Sequence, residues 1–455
     1  MYTTRLPPST HKMLTYLLSI TVILSFVSAT TDDSIQTNIR RLPLWKSARP
    51  NSTSPLGGYP VIPTKPELIS SASTANGTYN HNVFLHYVPT TDQMMAYWKN
   101  GLVDEDMPGQ TIKLSWRNPN QKWSEPIIAF DLGMFGAMFG APGITLANSH
   151  VYIGASPGYY NHSLLHKHVA QGSQCALWPD SIDERNCGPA QSYAVLYHST
   201  LLLRRVYDNR TLGPMFWAIQ PPSLFSAATI KYNILSIDDM NEETQQDIAE
   251  LVAYRNDPDV PTNVPCGREF TGTTKCEWCA GGCQKFTAID YSLGITNERS
   301  TYSTSDGTDV ILYRSSSGEP IFASSRIKEG GTWSPPTATN LPNDASNLNS
   351  GALSNGLRYL VHNPVTRNNT KDNRDPLTLT TSQDGGWTWN ETGVVATCLN
   401  LPFGNCVPRF VHDVDQGPSY PQLMEIVKDG SQHLGVWVAF TNNKEDVWVV
   451  KIVGS

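Results

Sequence analysis

Short apolar runs alternate with Gly-, Pro- and Asn-containing turns along most of the chain beyond residue 60. In runs such as "QTIKLSWRN" and "LTLTTSQ", apolar and polar residues alternate with a period of two. Successive side chains of a strand point to opposite faces of a sheet, so this period is typical of half-buried strands. The pattern predicts an all-β chain.

One segment has helical spacing instead. In "NEETQQDIAELVAYR", residues 241–255, the side chains of Ile248, Leu251, Val252 and Arg255 recur at helical intervals. The acidic residues at its start favour a helix N-terminus, because they complement the helix dipole. We expect one short helical insertion here.

A turn motif recurs among the strands. Residues 382–389, "SQDGGWTW", place Asp and Gly-Gly between two strand-like runs, and weaker forms end at Trp123 and Trp333. Trp333 and Trp389 are 56 residues apart, about the length of a four-stranded unit with its loops. Such repeats favour a β-propeller, and residues 61–455 are long enough for six blades.

The N-terminal region predicts entry into the secretory pathway. An apolar run from Met13 to Ala29 follows basic residues and ends in small ones, as a cleavable signal peptide does. We assign residues 1–29 to the signal peptide, with an uncleaved anchor as the alternative, and residues 30–60 to a linker or N-terminal arm. A second spanning run is absent from the sequence, so we expect no stable membrane insertion after signal removal, and a secreted or lumenal protein.

Sequons and cysteines agree with secretion. N-x-S/T sequons, which are N-glycosylation acceptors in secreted chains, occur at Asn51, Asn76, Asn161, Asn209, Asn368 and Asn390. The eight cysteines form an even set, which favours disulfides. We expect the local bridges Cys175–Cys187 and Cys398–Cys406, and two bridges within the cluster Cys266, Cys276, Cys279 and Cys283. The spacing of that cluster fits no standard zinc module, although four thiolates are a possible zinc site.

Charge and motifs narrow the functional classes. The net charge of −7 and the 16% of charged residues argue against a nucleic-acid-binding surface. No phosphate-binding glycine loop, serine nucleophile elbow or H-E-x-x-H motif is found in the sequence, so we expect neither a cofactor nor a metal.

The pattern Ser-x-Asp-x-Gly-x-Thr-Trp at 382–389 resembles the Asp box of the BNR-repeat proteins, whose best-known enzymes are the sialidases (neuraminidases). This resemblance implies a six-bladed propeller with a central site and a glycan or glycoconjugate as substrate. In that family a Tyr activated by a Glu is the nucleophile, an Asp is the acid/base, and three Arg bind the substrate carboxylate. Guanidinium suits that role because it is planar, always charged and bidentate.

The family order then suggests individual residues. "TNERSTYS" resembles the segment of the activating Glu, which implies Glu298, and the strand after it implies Arg314 as a carboxylate-binding residue. Arg374 fits the next such position, with Arg367 as a rival. "DQGPSYPQLM" resembles the segment of the nucleophile and implies Tyr420.

The N-terminal half matches the family less well. Asp104 or Asp106, in "NGLVDEDMPG", fits the acid/base loop. The first blade lacks the Arg-Ile-Pro motif of the family and offers His81 or Asn82 in "YNHNVFLHY", whereas Arg41-Leu42-Pro43 comes early, within the arm. Three functions remain open: a sialidase-type hydrolase, a non-catalytic glycan-binding propeller, and another carbohydrate-active enzyme on this fold. His81 is the candidate catalytic residue for the third.

Overall fold

The computed structural model describes most of the chain, with gaps. The described residues are 41–102, 109–118, 121–132, 136–160, 195–197, 201–218, 226–256, 295–315, 318–327, 334, 336–344, 346–365, 374–401, 407–410, 416–428 and 432–453.

These residues form 23 strands. In chain order they are β1 Leu44–Trp45, β2 Thr64–Ser70, β3 Tyr79–Val88, β4 Gln93–Gly101, β5 Thr111–Arg117, β6 Ile127–Asp131, β7 Gly136–Thr145, β8 Val151–Tyr160, β9 Val195–Tyr197, β10 Leu202–Val206, β11 Phe216–Trp217, β12 Ile295–Ser303, β13 Thr308–Ser315, β14 Gly318–Ile327, β15 Thr337–Ala338, β16 Asn349–Ala352, β17 Arg358–His362, β18 Leu377–Ser382, β19 Thr388–Trp389, β20 Glu391–Ala396, β21 Pro418–Lys428, β22 Gln432–Asn442 and β23 Asp446–Ile452.

The strands assemble into five antiparallel sheets, which we call blades A to E. Blade A is β3-β4-β5-β6, blade B is β7-β8-β10-β11 with β9 also on β8, blade C is β12-β13-β14-β15, blade D is β16-β17-β18-β20, and blade E is β21-β22-β23-β2. The first strands of successive blades contact one another, β21 with β3, β3 with β7, β12 with β16, and β16 with β21. Sheets that meet through their first strands radiate from a common axis, and the fold is therefore a β-propeller.

The propeller architecture is confirmed, and its blade count differs from the expectation. Five blades lie within the described residues, whereas the sequence predicted six. Among these residues, no contact comparable to that of β3 with β7 joins β7 to β12. The chain between blades B and C includes residues 257–294, which lie outside the described part, so the sixth blade stays a prediction.

Blade E closes the ring with a strand from the N-terminal part of the chain. β2 pairs with β23 from Thr64–Ile452 to Ser70–Val447, so the outermost strand of the last blade precedes the first blade in sequence. This closure holds blade E next to blade A, where β21 and β22 both contact β3.

The motif at 382–389 forms the turn after β18, the third strand of blade D. Asp384 accepts hydrogen bonds from the backbone N–H of Trp387 (3.1 Å) and Thr388 (2.8 Å), and from the hydroxyl groups of Ser382 and Thr388. Although partial burial raises the pKa of Asp384, these hydrogen bonds outweigh burial and lower it below its usual value. The Trp389 side chain is fully buried in the core beside Tyr302.

The glycines of this turn are required by its backbone. Gly385 and Gly386 have φ of 82° and 103°, a region that L-residues avoid. A Cβ on Gly386 would also come within 2.4 Å of the Tyr302 ring. Trp123 lies in the corresponding turn of blade A, between β5 and β6, whereas Trp333 falls outside the described residues.

The predicted helix is confirmed as α2, Glu242–Asn256, preceded by the short α1, Ser226–Lys231. The buried Asp247 on α2 accepts hydrogen bonds from Tyr152 (2.6 Å) and Asn148 (2.7 Å) and contacts the His150 ring (2.7 Å). These three residues belong to blade B, so the helix is fixed to that blade. The apolar side chain of Ile248 is buried with them.

Residues 41–60, part of the predicted arm, pack on the outside of blade D. β1 pairs in parallel with β19, and Trp45 and Tyr59 are buried in the core of this region. Arg41 lies 4.9 Å above the Trp387 ring. Arg41 therefore contacts the Asp-box turn.

Two further findings bear on the sequence expectations. Cys398 is disulfide-bonded, but Cys406 and the other six cysteines fall outside the described residues, so the pairings stay predictions. Within the described part of the chain, no helix has the length and apolar character needed to cross a membrane.

Candidate functional site

Several residues that the sequence singled out lie at one end of the propeller, which we call the upper end. It is the end at which the first strand of each blade begins. His81 is the third residue of β3, Tyr420 is the third residue of β21, Arg314 is next to last in β13, and Arg374 precedes β18. The Asp-box turn, which follows β18, lies at the lower end.

The half-buried side chain of Tyr420 is the centre of this group. Arg314 donates a hydrogen bond from Nη1 to the Tyr420 hydroxyl at 2.7 Å. The guanidinium carbon of Arg374 lies 5.3 Å from the centre of the Tyr420 ring. The His81 ring lies on the same ring, with a centroid distance of 4.0 Å. We call these four side chains, from blades A, C, D and E, the Tyr420 cluster.

The backbone at Tyr420 departs from regular strand geometry. Tyr420 has a φ of 54°, and the pairing of β21 with β22 shifts between Ser419 and Gln422. A positive φ in a bulky residue is strained, and such strain persists only where surrounding contacts impose it. Bulges commonly re-aim a side chain beside a functional site, and this one coincides with the residue at the centre of the cluster.

Arg374 is held by the start of β21. Its backbone N–H donates to Gln416 (2.7 Å), and its carbonyl accepts from the buried Asn363 amide (2.7 Å). Gly417 allows this approach, because a Cβ there would lie 3.0 Å from the Arg374 carbonyl oxygen. The side chain of Arg374 is only 2% exposed. Arg374 is thus a buried cation with a fixed backbone.

His81 is fixed from blade E. Its Nδ1 lies 3.0 Å from the hydroxyl of Thr441 on β22, and the residue is 1% exposed. Its strand neighbour in register is Lys99, which is also buried and whose ammonium lies 5.8 Å from the Tyr79 ring. His81, one of the two residues that the sequence offered in place of the expected arginine, is therefore packed against Tyr420.

Sequence reasoning missed the hairpin tip that supports these residues. We call residues 442–446, "NNKED", the β22–β23 tip; all five are buried. The carbonyl groups of Lys444 and Glu445 accept from the backbone and side-chain amides of Asn80, each at 2.7 Å. The Oδ1 of Asn443 accepts from the Gly417 N–H at 2.8 Å. The tip thus joins the residue before His81 to the segment that leads to Tyr420.

A further arginine at the upper end was also missed. Arg299 directly follows Glu298 on β12 and pairs in register with Tyr313. Burial lowers the pKa of Arg299, and the nearby Tyr313 opposes this shift. Burial also shifts the pKa of Tyr313, and for this acidic group the shift is upward. Because an arginine pKa is so high, Arg299 stays a cation. Its position next to Glu298 is a local signal that could have identified it.

The side chains of four other expected site residues lie outside the described part of the chain. The backbone of Glu298 lies in the irregular stretch of β12 between Ile295 and Arg299, opposite the part of β13 that carries Arg314. Its side chain lies outside the described residues. Asp104, Asp106 and the rival Arg367 lie outside them as well; among the described residues, β4 ends and β5 begins at the upper end. Among the described side chains, no group of three or more His, Cys, Asp or Glu is arranged to hold a metal ion.

Comparison with protein families matches residues 270–446 to the BNR repeat-like domain. That range covers blades C and D and most of blade E. Comparison with curated protein sequences gives no match.

Comparison with solved structures gives matches to sialidases. A structure described as a sialidase is 16% identical with a TM-score of 0.60, and the match covers 90% of this chain and 35% of that one. A NanB sialidase mutant from Streptococcus pneumoniae is 10% identical with a TM-score of 0.43, covering 85% of this chain and 70% of that one. A leech intramolecular trans-sialidase is 11% identical with a TM-score of 0.43, covering 86% and 70%. The first of these matches shows that the chain has a sialidase-like β-propeller fold, and the chain spans about a third of the length of that protein.

Proposed function

We propose that this protein is a retaining, sialidase-type glycoside hydrolase that removes terminal sialic acid, or a related acidic sugar, from glycoconjugates. The observation that carries the proposal is the hydrogen bond from Arg314 to the Tyr420 hydroxyl, with Arg374 beside the same ring. One buried guanidinium group, that of Arg374, and one half-buried group, that of Arg314, thus surround a single phenol, as a site for an anionic substrate would.

The chemistry of the cluster suits a sugar that carries a carboxylate. A carboxylate nucleophile would be repelled by such a substrate, whereas a tyrosine is neutral before it reacts. The N–H group of Arg314 is placed to stabilise negative charge that develops on the Tyr420 oxygen. Before this attack, Arg314 and Arg374 would bind the carboxylate of the entering substrate.

The remaining roles follow from the family resemblance. The Tyr420 oxygen attacks the anomeric carbon while Glu298 takes its proton, and Asp104 or Asp106 protonates the leaving oxygen. Water then displaces the tyrosine with the Asp acting as base, so the anomeric configuration is retained. The backbone of Glu298, on the strand next to Arg314, supports this assignment.

We also propose that the protein acts in the secretory pathway or outside the cell. The support comes from the apolar N-terminal run, the sequons and the disulfide at Cys398. Disulfides persist in oxidising compartments, where glycoconjugate substrates are also exposed.

Release of a fluorogenic sialoside by the purified secreted protein tests the function. A sialoside fluorinated next to the anomeric carbon should form a long-lived adduct, and peptide mass spectrometry should locate that adduct on Tyr420. The Tyr420→Phe variant is the control and should form no adduct. Absence of turnover with every sialoside and acidic glycoside tried would overturn the proposal.

The second candidate is a glycan-binding propeller without hydrolytic activity. The observation that favours it is His81, which packs on Tyr420 in the blade where the family carries an additional Arg. Loss of one charged hydrogen bond to a substrate carboxylate costs about 1.5–3 kcal/mol. Binding of sialosides in calorimetry, without turnover and with loss of binding in Arg374→Ala, would establish this candidate in place of the first.

A further inference from the structure

A second concave region lies away from the Tyr420 cluster, at the join between blades E and A. It is a groove of about 940 Å³, open to solvent, between β2 of blade E and β5 of blade A. Lys65 and Glu67 line it from β2, Lys113 and Arg117 line it from β5, and Trp123 lines it from the turn before β6. We call it the seam groove. Its volume falls within the range of about 300–1,000 Å³ that ligand sites occupy.

The inner wall of the seam groove is rigid. Arg117 forms a salt bridge with Glu67, with Nε 3.0 Å from Oε2, and its guanidinium carbon lies 4.9 Å from the centre of the Trp437 ring. Lys113 donates from its ammonium to the backbone carbonyl of Asn76 at 2.6 Å. These pairings join the two blades and fix the shape of the groove before any ligand enters.

The accessible lining suits a saccharide. Four lining residues are exposed: Lys65, Gln121, Lys122 and Glu125. They offer hydrogen-bond donors and acceptors, and their positive and negative charges nearly balance. Trp123 adds a half-buried aromatic ring. A sugar ring has an apolar face of C–H groups and a rim of hydroxyl groups, so it can pack on an indole while its rim binds the polar residues.

One lining residue can carry a saccharide covalently. Asn76 lines the groove and begins the sequon Asn76-Gly77-Thr78. Its backbone is fixed, because its carbonyl accepts from Lys113 and from Asn100, and because a Cβ on Gly77 would come within 2.5 Å of the Gly101 oxygen. Asn76 is exposed, as are Asn51, Asn209 and Asn390, the other sequon residues in the described part of the chain, but those three do not line the groove.

We propose that the seam groove holds the chain's own N-glycan, attached at Asn76, with its first sugars on Trp123. In the attachment step the amide nitrogen of Asn76 displaces a lipid diphosphate from the anomeric carbon of a donor oligosaccharide and loses a proton. The bound glycan then touches β2 and β5 together and covers the join at which the propeller closes. The proposal depends on secretion but not on catalysis by the Tyr420 cluster.

The test uses the full chain secreted from a eukaryotic host. Glycopeptide mass spectrometry should find Asn76 occupied, and an amidase that removes N-glycans should release the Asn76 glycan at least about tenfold more slowly than the Asn209 glycan from the native protein. After denaturation the two rates should agree. An unoccupied Asn76, or equal native rates, would overturn the proposal.

Substitutions distinguish two reasons for slow release: a glycan held in the groove, and a sequon from which the amidase releases any glycan slowly. Trp123→Ala should raise the native release rate at Asn76 and leave that at Asn209 unchanged. Because Trp123 also packs against the core, Lys65→Ala provides a second variant at an exposed position, with a smaller increase expected. Asn76→Gln should lower the melting temperature more than the control Asn209→Gln. Equal melting temperatures together with unchanged release in both lining variants would refute the idea.

Discussion

The Asp-box turn and the Tyr420 cluster lie at opposite ends of the propeller, and they are assembled differently. In the turn, Asp384 accepts hydrogen bonds from three residues that lie within four positions of it in sequence, and its distant partner Arg41 is exposed and 3.5 Å away. In the cluster, contacts join residues 106 and 360 positions apart, as between Arg314 and Tyr420 and between His81 and Thr441. The turn is therefore a local device, whereas the cluster exists only once the ring has closed.

The comparison predicts that the two ends can be damaged independently. Loss of the Tyr420 hydroxyl should alter activity and leave stability almost unchanged. Changes in the Asp-box turn should do the reverse.

The largest effect is expected for Tyr420→Phe. Loss of the hydroxyl removes the proposed nucleophile, so kcat for a sialoside should fall by at least about 100-fold. The side chain is half-buried and its ring is retained, so the unfolding midpoint in urea should change little. Both quantities are measured on the same preparation. A variant with unchanged kcat would show that Tyr420 packs without reacting.

The next effect is expected for Asp384→Ala. Four hydrogen bonds to the turn are lost, and after allowance for partial exposure the free energy of unfolding should fall by about 2 kcal/mol. Activity per folded molecule should stay the same. Asp384→Asn, which keeps an acceptor oxygen for the two backbone N–H groups, should lose less than half as much in the same urea titration. Equal losses in both variants would mean that the charge matters more than the local hydrogen bonds.

His362, in the core of blade D, should make stability depend on pH. Burial lowers its pKa from the usual value of 6.5 to about 3, against a smaller opposing effect of a hydrogen bond with the Pro342 backbone. As the pH falls, His362 takes up a proton near pH 6.5 in the unfolded chain. In the folded chain the buried ring stays neutral until the pH approaches about 3. The stabilisation is complete above pH 6.5 and falls by about 1.4 kcal/mol per pH unit below it, until the folded pKa is reached.

His362→Gln isolates this contribution, because Gln does not titrate. Urea titrations at pH 7 and pH 5.5 should show a larger loss in the parent protein than in the variant, by about 1.4 kcal/mol. Only the change with pH is compared, since the variant has its own stability at pH 7. Parallel curves would show that His362 already accepts a proton in the folded protein.

The smallest effect is expected for Thr441→Val, which removes the hydroxyl next to His81 Nδ1. A hydrogen bond of this kind is worth about 1 kcal/mol, so kcat/KM should fall about fivefold as the His81 ring loses its orientation. Thr441→Ser keeps the hydroxyl and should restore most of the activity. If Ser and Val behave alike, His81 is positioned by packing on Tyr420 alone.

The same contrast explains what sequence could predict. The Asp box was recognisable because its geometry is encoded by residues that touch their neighbours in sequence. The propeller followed from strand periodicity and from the spacing of Trp333 and Trp389. α2 followed from the positions of its apolar residues.

The residues that hold the Tyr420 cluster in place could not be predicted from the sequence in the same way. "NNKED" in the β22–β23 tip has the composition of a solvated turn, and its burial depends on Asn80 and Gly417 from two other strands. Thr441 is one threonine in an apolar strand, and only the register of blade E against β3 places it beside His81. Tertiary contacts of this kind leave no local pattern.

The closure of blade E by β2 has a consequence for the order of synthesis. β2 leaves the ribosome long before β23, and at about 5–20 residues per second its partner follows roughly 20–75 s later. During that interval β2 is an unpaired strand that could associate with other nascent chains. Lys65, Pro66 and Glu67 lie in its first half, and charged residues and proline are those that discourage pairing between exposed strand edges. Lys65 and Glu67, which line the groove in the folded protein, thus also discourage aggregation of the nascent chain.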